Sequence, residues 1–137
     1  MKIGIIGLGF VGLSFGSVLA SKGKNVVGVD VDAEKCKKIR NGVSPFFEPD
    51  LERILKIGLK KKLIITDDFS LIKDCDMIFV AVGTPQKSNG AIELSMIKKA
   101  VTSIGIILAK TKKNPIVLIK STVIPGTMQN VILPILE

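Results

Sequence analysis

The sequence predicts an α/β fold, a single domain built on a doubly wound parallel sheet. Short runs of Ile, Val and Leu alternate with segments whose apolar residues recur every three or four positions. Such runs are typical of strands that are buried on both faces of a parallel sheet and are joined by helices. The length of 137 residues corresponds to one domain, and a hydrophobic content of 47% is enough for one core.

Each predicted element follows from its local pattern. Short apolar runs predict strands at residues 2–6, 26–30, 62–66, 77–82 and 115–120. Helical spacing predicts helices at 11–22, 33–41, 50–57 and 68–74, and a last helix that begins near Thr127. A long helix follows the loop 83–93, because one face carries Leu94, Ile97, Val101, Ile104 and Leu108. We find no longer internal repeat and no low-complexity linker.

Composition and charge argue against several classes of partner. The formal net charge is +8, but the lysines form small separate clusters, such as residues 60–62 and 110–113, near predicted helix ends. Cations at these positions complement the helix dipole, so solvated faces are the favoured interpretation. Aromatic residues make up only 4% of the chain, which disfavours base stacking, and no apolar run reaches the length of a membrane span. We therefore expect no nucleic-acid partner and no membrane partner.

The cysteine and histidine content limits the possible chemistry. Cys36 and Cys75 are too few for a disulfide framework and have no metal-ligand spacing, so no metal site is expected. We expect both to be core or half-buried residues, with no activating base beside them. Free thiols and the absence of a signal-peptide pattern predict the cytoplasm. The chain has no His, which is the commonest general base.

A glycine-rich loop, GLGFVG at residues 7–12, joins the first strand directly to the first helix. In this context Gly7 makes the tight turn, Gly9 lets the main chain approach a diphosphate, and Gly12 allows close contact between helix and strand. The unpaired amides at the start of the helix then bind phosphate. The loop predicts a dinucleotide site on a Rossmann fold. The alternative is a glycine-rich turn that serves packing alone.

Asp30 ends the second strand, 18 residues after Gly12. A carboxylate at this place accepts hydrogen bonds from ribose hydroxyls and repels a 2′-phosphate, so NAD is favoured over NADP. Lys35 lies one turn into the next helix, where it either reaches the ribose or phosphate edge or is merely exposed. The residues leave both alternatives open.

Other aspartates near strand ends have simpler explanations. Asp32 is expected to cap the second helix, and Asp67 and Asp68 are better explained by helix capping than as a catalytic acid pair. A methyltransferase also places glycines and an acid after its first two strands. It is disfavoured because Ile5 and Ile6, rather than an acidic residue, precede the loop.

Four further stretches go beyond a general dinucleotide fold: VDVDAEKCKKIRNGVSPFFEPDL, VAVGTPQ, GAIELS and KSTVIPGT. In this order and spacing the whole chain resembles the UDP-glucose/GDP-mannose 6-dehydrogenase family. The resemblance implies oxidation of the C6 alcohol of a nucleotide sugar to a carboxylate in two NAD-dependent steps. In the family these steps pass through a thiohemiacetal and a thioester on a cysteine.

The resemblance implies a set of cofactor contacts in this sequence. They are Gly7, Gly9, Phe10, Val11, Gly12, Asp30, Lys35, Val82, Thr84, Pro85, Ser121 and Thr122. Thr122 is also implied to position a catalytic water. Read locally, Ser121 and Thr122 would only form a turn before Pro125 and Gly126. The Glu48–Pro49 loop is family-like too, and bracing the second helix is one possible role.

The chain departs from the family pattern in a few positions. Asp50 stands where many members have glycine, Glu93 where aspartate is frequent, and Phe10 where tyrosine is common. None of these changes removes a group needed to hold NAD. The resemblance also implies that the catalytic cysteine, the part that binds the sugar nucleotide and the main contacts of a homodimer lie beyond Glu137. We therefore expect these residues to bind NAD and to turn over little or nothing.

Two alternatives to this reading stay open. One is a non-catalytic NAD-binding module that acts as a sensor or partner. The other is a β-hydroxyacid dehydrogenase, which would not be expected to carry EPDL and KSTVIPGT together. The sugar is also undetermined, because the tail STVIPGTMQNVILPILE is similar to GDP-mannose enzymes whereas UDP-glucose oxidation is the commoner activity.

Overall fold

The apolar runs of the sequence form one five-stranded sheet in the computed structural model, which describes residues 1–137. The strands are β1 (Lys2–Ile6), β2 (Asn25–Val29), β3 (Leu63–Thr66), β4 (Met77–Val80) and β5 (Ile116–Ile119). Their order is β3-β2-β1-β4-β5, and every neighbouring pair is parallel. The predicted fold class is confirmed. Because the order reverses at β1, the crevice between the carboxyl ends of β1 and β4 is the expected ligand site.

Helices lie on both faces of the sheet. They are α1 (Phe10–Ser21), α2 (Ala33–Arg40), α3 (Leu51–Lys61), α4 (Ser95–Leu108) and α5 (Leu133–Leu136). A 3-10 helix spans Phe69–Asp74, and a π-helical segment, Met128–Ile132, continues into α5. The π-helical segment ends just before the first turn of α5, which contains Pro134. Proline has no N–H to donate within a helix. None of the helices combines the length and the apolar character that crossing a bilayer requires.

Some predicted bounds were wrong for identifiable reasons. The strand expected at 77–82 ends at Val80, where the amides of Lys120 and Ser121 both donate to the Val80 carbonyl as the chain leaves the sheet. The helix expected at 50–57 continues to Lys61, because Gly58 is buried against α1 rather than ending the helix. The short helix expected at 68–74 is present as a 3-10 helix over Phe69–Asp74.

The core consists of an apolar layer on each face of the sheet. On one face, α1 and α3 cover residues such as Ile3, Ile5 and Leu63. On the other, Ile6 and Ile78 pack beneath α4 and the 3-10 helix. A third cluster joins α4 to the last helical segment through Ile97, Val101 and Ile132. The predicted apolar face of α4 is confirmed, and it fixes this helix beside the crevice.

Candidate functional site

A cavity of about 480 Å³ opens at the carboxyl ends of β1, β2 and β4. It lies at the place that the strand order predicts for a ligand. The glycine loop and the segment after β2 form one wall, and the segment after β4, α4 and the 3-10 helix form the other. The wall residues are Ile6, Gly7, Gly9, Val29, Asp30, Val31, Asp32, Lys35, Phe69, Ala81, Val82, Gly83, Met96, Lys99, Ala100 and Ser103.

The three glycines of the loop have different surroundings. Gly7 has a φ of +94°, and a Cβ there would lie 2.8 Å from the Ala81 carbonyl oxygen. A Cβ at Gly12 would lie only 1.8 Å from the Gly7 carbonyl oxygen, so Gly12 is required for packing. A Cβ at Gly9 would meet nothing within 4 Å, although Gly9 lines the cavity. The backbone at Gly9 is therefore open to a ligand.

The start of α1 faces the site with free amides. Gly9 is the N-cap residue, and no side chain caps the first turn. Unpaired N–H groups and the positive end of the helix dipole together bind anionic groups such as phosphate. The first turn of this helix thus offers the donors that a diphosphate requires.

The Asp30 carboxylate is buried and holds this part of the site together. Its Oδ2 accepts hydrogen bonds from the Leu8 N–H and the Lys35 Nζ, both at 2.8 Å, and its Oδ1 accepts one from the Asp32 N–H at 3.0 Å. Burial opposes ionisation, but these donors outweigh it and hold the pKa of Asp30 below its usual value. Since a carboxylate offers roughly four acceptor positions, Oδ1 retains capacity for a ribose hydroxyl.

Two lysines border the cavity beside Asp30. The Lys35 ammonium forms an ion pair with Asp30, and the Lys35 side chain is 29% exposed, so this residue is not merely exposed. Lys99, on α4, also lines the cavity and is in no ion pair. These two cations offset the carboxylates of Asp30 and Asp32 in the cavity wall, so the cavity has no net negative charge that would repel an anionic ligand.

The structure does not bring all the predicted contacts into this cavity. Gly7, Gly9, Asp30, Lys35 and Val82 line it. The predicted residues outside it are Phe10, Val11, Gly12, Thr84, Pro85, Ser121 and Thr122.

Two of the residues outside the cavity have clear structural partners. Phe10 is exposed and stacks on Phe46, with ring centroids 4.1 Å apart. The Ser121 hydroxyl donates to the Val82 carbonyl at 2.7 Å, which braces the cavity wall. Thr122 is exposed beside it, just after β5.

The α4 wall of the cavity was not predicted from the sequence. Met96, Lys99, Ala100 and Ser103 recur at helical spacing, on a strip adjacent to the apolar face that identified the helix. This spacing was the available signal. It carries little weight in a sequence, because exposed helix faces have the same composition.

Capping explains two of the other aspartates, as predicted. Asp32 accepts a hydrogen bond from the Lys35 N–H at 2.9 Å, and Asp68 accepts one from the Ser70 N–H at 2.8 Å. Hydrogen bonds from Ser70 lower the pKa of Asp68. Neither arrangement resembles a paired acid site.

Neither cysteine is an accessible nucleophile. Cys36 and Cys75 are both fully buried, as predicted, and neither is in a disulfide. Burial raises the pKa of both thiols. Because the thiolate is the reactive form, both are unsuited to covalent catalysis.

Asp50 shows why glycine would suit its position. It has a φ of +63° and is the only non-glycine residue with a positive φ. Glycine adopts this left-handed conformation without a steric penalty, and aspartate tolerates it better than most residues. Aspartate in place of the family's usual glycine therefore still allows the backbone turn at which α3 begins.

Comparisons with known proteins agree with this geometry. The model of the UDP-glucose/GDP-mannose dehydrogenase family, NAD binding domain, matches residues 1–137. The chain belongs to this family. A GDP-mannose 6-dehydrogenase of Pseudomonas syringae pv. tomato is 43% identical to this NAD-binding domain, over 100% of the chain and 32% of that protein. A UDP-glucose 6-dehydrogenase of Haloferax volcanii is 36% identical, again over 100% of the chain and 32% of the relative.

Solved structures of the family are also similar to this NAD-binding domain. A ternary complex of GDP-mannose dehydrogenase from Pseudomonas aeruginosa superposes with a TM-score of 0.97 at 40% identity, covering 100% of the chain and 32% of that structure. A UDP-glucose dehydrogenase from Pyrobaculum islandicum gives a TM-score of 0.93 at 29% identity, covering 98% and 32%. The chain thus spans about a third of the length of the relatives it matches.

NAD is the cofactor of this domain, and the residues present fit it. Open space above Gly9 and uncapped amides suit a diphosphate, while the buried Asp30 carboxylate suits a ribose hydroxyl. Val31 and Phe69 add apolar surface to the same cavity. The donor and acceptor types therefore match a dinucleotide.

Proposed function

We propose that this chain supplies the NAD site of a nucleotide-sugar 6-dehydrogenase. The complete protein would oxidise the C6 alcohol of GDP-mannose or UDP-glucose to the carboxylate. One observation carries the proposal: the uncapped start of α1 and the Asp30 carboxylate meet in one cavity of a chain that belongs to this family. GDP-mannose is the first substrate to test, because the GDP-mannose relatives reach 43% identity against 36% for the UDP-glucose relative.

Each proposed contact has a defined task. The unpaired backbone amides at the start of α1, residues 9–12, bind the diphosphate. Asp30 accepts a ribose hydroxyl, while Lys35 donates to the ribose or phosphate edge. NAD held by these residues would supply the hydride acceptor for oxidation of the substrate. Val82, Thr84 and Pro85 support the cofactor after β4, and Phe10 and Val11 flank the diphosphate.

The residues after β5 are proposed to act near the reacting end of the cofactor. The hydrogen bond from Ser121 to Val82 supports a role in shaping the cofactor wall. The exposure of the adjacent Thr122 supports the proposal that it positions a catalytic water.

Catalysis also needs groups that we assign to other segments of the complete protein. The burial of both thiols supports a nucleophilic cysteine outside these residues, together with the sugar-nucleotide site. We assign the contacts of a homodimer to the same segments. The two free thiols support a reducing compartment, and we propose the cytoplasm.

Calorimetric titration with NAD tests the cofactor site. Asp30→Ala should weaken NAD binding at least tenfold, since a hydrogen bond to a charged group contributes about 1.5–3 kcal/mol. Asp67→Ala is the matched control, because Asp67 follows β3 as Asp30 follows β2 but is exposed and outside the cavity. Equal affinities for Asp30→Ala and the unmodified chain would remove Asp30 from the site.

Activity assays separate the domain from the complete protein. Residues 1–137 should bind NAD but produce no NADH, followed at 340 nm, with GDP-mannose or UDP-glucose. The complete protein should produce about two NADH per sugar nucleotide, because alcohol-to-carboxylate oxidation removes four electrons. Steady NADH production by residues 1–137 would show that the nucleophile had been wrongly assigned to other segments. A complete protein that binds NAD without oxidising either sugar nucleotide would favour a sensor module.

A further inference from the structure

The positive charge of the chain is concentrated at one edge of the sheet. Because the strands are parallel, their amino ends share the edge opposite the NAD cavity. We call this region the amino edge. Ten lysines lie there: Lys2 on β1, Lys22 and Lys24 between α1 and β2, Lys60 and Lys61 at the end of α3, Lys62 before β3, Lys73 before β4, and the three lysines of residues 110–113 before β5.

The amino edge accounts for the whole net charge. It holds ten of the 20 basic residues but only two of the 12 acidic ones, Asp74 and Asp76. The other ten basic and ten acidic residues cancel. The formal charge of +8 therefore belongs to this edge, and the remainder of the chain, including the cavity, is balanced.

Contacts show that these segments meet although they are distant in sequence. The Val26 N–H donates to the Lys62 carbonyl, and the Lys61 ammonium donates to the Ser21 carbonyl. Asp76 joins the other side, because it accepts hydrogen bonds from the Lys2 N–H and the Lys113 ammonium. Nine of the ten lysines are exposed, and Lys2 is half-buried.

Helix dipoles do not account for the whole edge. A cation stabilises a helix only when it lies near the last turn. Lys60 and Lys61 do so for α3, but Lys2, Lys24 and Lys112 lie outside any helix. Bringing these additional like charges together costs stability in the free chain. An anionic partner would relieve that repulsion.

The chemistry of the edge fits a lipid surface better than a nucleic acid. Its cations are all lysines, without an arginine for bidentate phosphate contacts or an aromatic ring for base stacking. Three exposed apolar side chains lie among them: Met1 is 67% exposed, Ile116 58% and Leu71 36%. Two of them lie beside charged residues of the edge, since the Ile116 N–H donates to the Asp76 carbonyl and the Lys2 ammonium to the Leu71 carbonyl. A headgroup layer accommodates both kinds of side chain.

We propose that the amino edge docks on an anionic lipid surface, with the NAD cavity facing away from it. This proposal differs from the expectation of no membrane partner, because only the fold brings the separate lysine clusters together. Docking in this orientation leaves the cofactor free to exchange.

Vesicle sedimentation of the purified chain tests the proposal. The chain should bind equimolar phosphatidylglycerol–phosphatidylcholine vesicles at low salt, bind pure phosphatidylcholine vesicles far more weakly, and dissociate in 0.5 M salt. The variant Lys24→Glu/Lys62→Glu/Lys112→Glu should lose roughly a hundredfold in affinity, from about 1 kcal/mol for each lysine near the surface. None of these three side chains makes a hydrogen bond or ion pair in the structure.

A second triple variant controls for net charge. Lys38→Glu/Lys98→Glu/Lys120→Glu has the same formal charge but changes exposed lysines away from the edge. It should lose less than about tenfold, and both triple variants should bind NAD as the unmodified chain does, which shows that they are folded. Equal losses in the two variants, or the absence of vesicle binding by the unmodified chain, would overturn the proposal. The salt and lipid dependence of the unmodified chain tests it without any variant.

Insertion of the apolar side chains separates lipid from other polyanions. Ile116→Thr should weaken vesicle binding about fivefold, since roughly half of an apolar side chain loses its burial in lipid. The same variant should leave binding to heparin, a soluble polyanion, unchanged. Tighter binding to a 20-base-pair DNA duplex than to the vesicles, with loss in the edge variant, would replace the lipid proposal by a nucleic-acid one.

Discussion

Substitutions of Gly9 and Gly12 in the glycine loop should have different effects, because the two glycines are required for different reasons. Gly9 borders the NAD cavity, and a Cβ there meets nothing within 4 Å. Gly12 is buried, and a Cβ there falls 1.8 Å from the Gly7 carbonyl oxygen. Gly9→Ala should therefore impair cofactor binding alone, whereas Gly12→Ala should impair folding.

The magnitude for Gly12→Ala follows from the overlap. Ordinary carbon–oxygen contacts exceed 3 Å, so a Cβ at 1.8 Å forces the backbone of Gly7 or α1 to move by more than 1 Å. Overpacking of this kind costs about 3 kcal/mol, the upper part of the usual range. For a domain of this size, that loss lowers the melting temperature by roughly 10 °C. NAD binding should weaken as well, because the displaced carbonyl belongs to the same loop.

Gly9→Ala should leave stability almost unchanged. The backbone at Gly9, with φ −81° and ψ −161°, is accessible to alanine. A gain of about 0.4–1 kcal/mol from the stiffer unfolded chain is offset by a similar loss, because alanine is a poor N-cap residue. The new methyl group occupies the space through which a diphosphate approaches the backbone, so NAD affinity should fall at least tenfold, which is about 1.4 kcal/mol.

Scanning calorimetry and titration with NAD on the same samples distinguish the two effects. The expected pattern is a normal melting temperature with weak NAD binding for Gly9→Ala, and a low melting temperature for Gly12→Ala. Wild-type NAD affinity in Gly9→Ala would refute the approach of the cofactor to this backbone. A normal melting temperature for Gly12→Ala would refute the close packing of α1 on the loop.

Three further predictions concern single side chains. Lys99→Ala should weaken NAD binding about fivefold in calorimetric titration, since an exposed charge contact contributes up to about 1 kcal/mol. Its neighbour Lys98 lies outside the cavity, so Lys98→Ala should leave NAD binding unchanged. Asp50→Gly should be more stable than Asp50→Ala by about 1 kcal/mol in denaturant unfolding, because only alanine is strained at the positive φ. Ionised Asp30 stabilises the fold because its pKa is lowered, so this contribution is present at pH 7 and begins to fall below the unfolded value of about 3.9. The difference in melting temperature between wild type and Asp30→Asn should accordingly be constant from pH 7 to 5 and shrink at pH 3.

The sheet and its glycine loop could be predicted because their signals are local. A strand such as β1 and the turn at Gly7 are specified by adjacent residues, and so is the cap at Asp32. The α4 wall of the cavity could not be predicted in this way. Lys99 and Ser103 belong to the site only because β4 neighbours β1 in the sheet. No short segment of the sequence specifies this strand order. The amino edge could not be predicted for the same reason, because strand order brings its separate lysine segments together.

The predicted ribose site at Asp30 and the predicted diphosphate site at the glycine loop are joined by a hydrogen bond. The spacing of these residues in the sequence does not reveal this contact. The Asp30 carboxylate accepts a hydrogen bond from the Leu8 N–H, in the middle of the glycine loop. Asp30 is only 7% exposed, so water is a poor substitute partner for that amide. The carboxylate therefore orders the diphosphate loop as well as offering an acceptor to ribose. Because asparagine keeps a side-chain oxygen for Leu8 but loses the charge, Asp30→Asn should preserve more NAD affinity than Asp30→Ala, and equal losses would mean that ribose contact alone determines the effect.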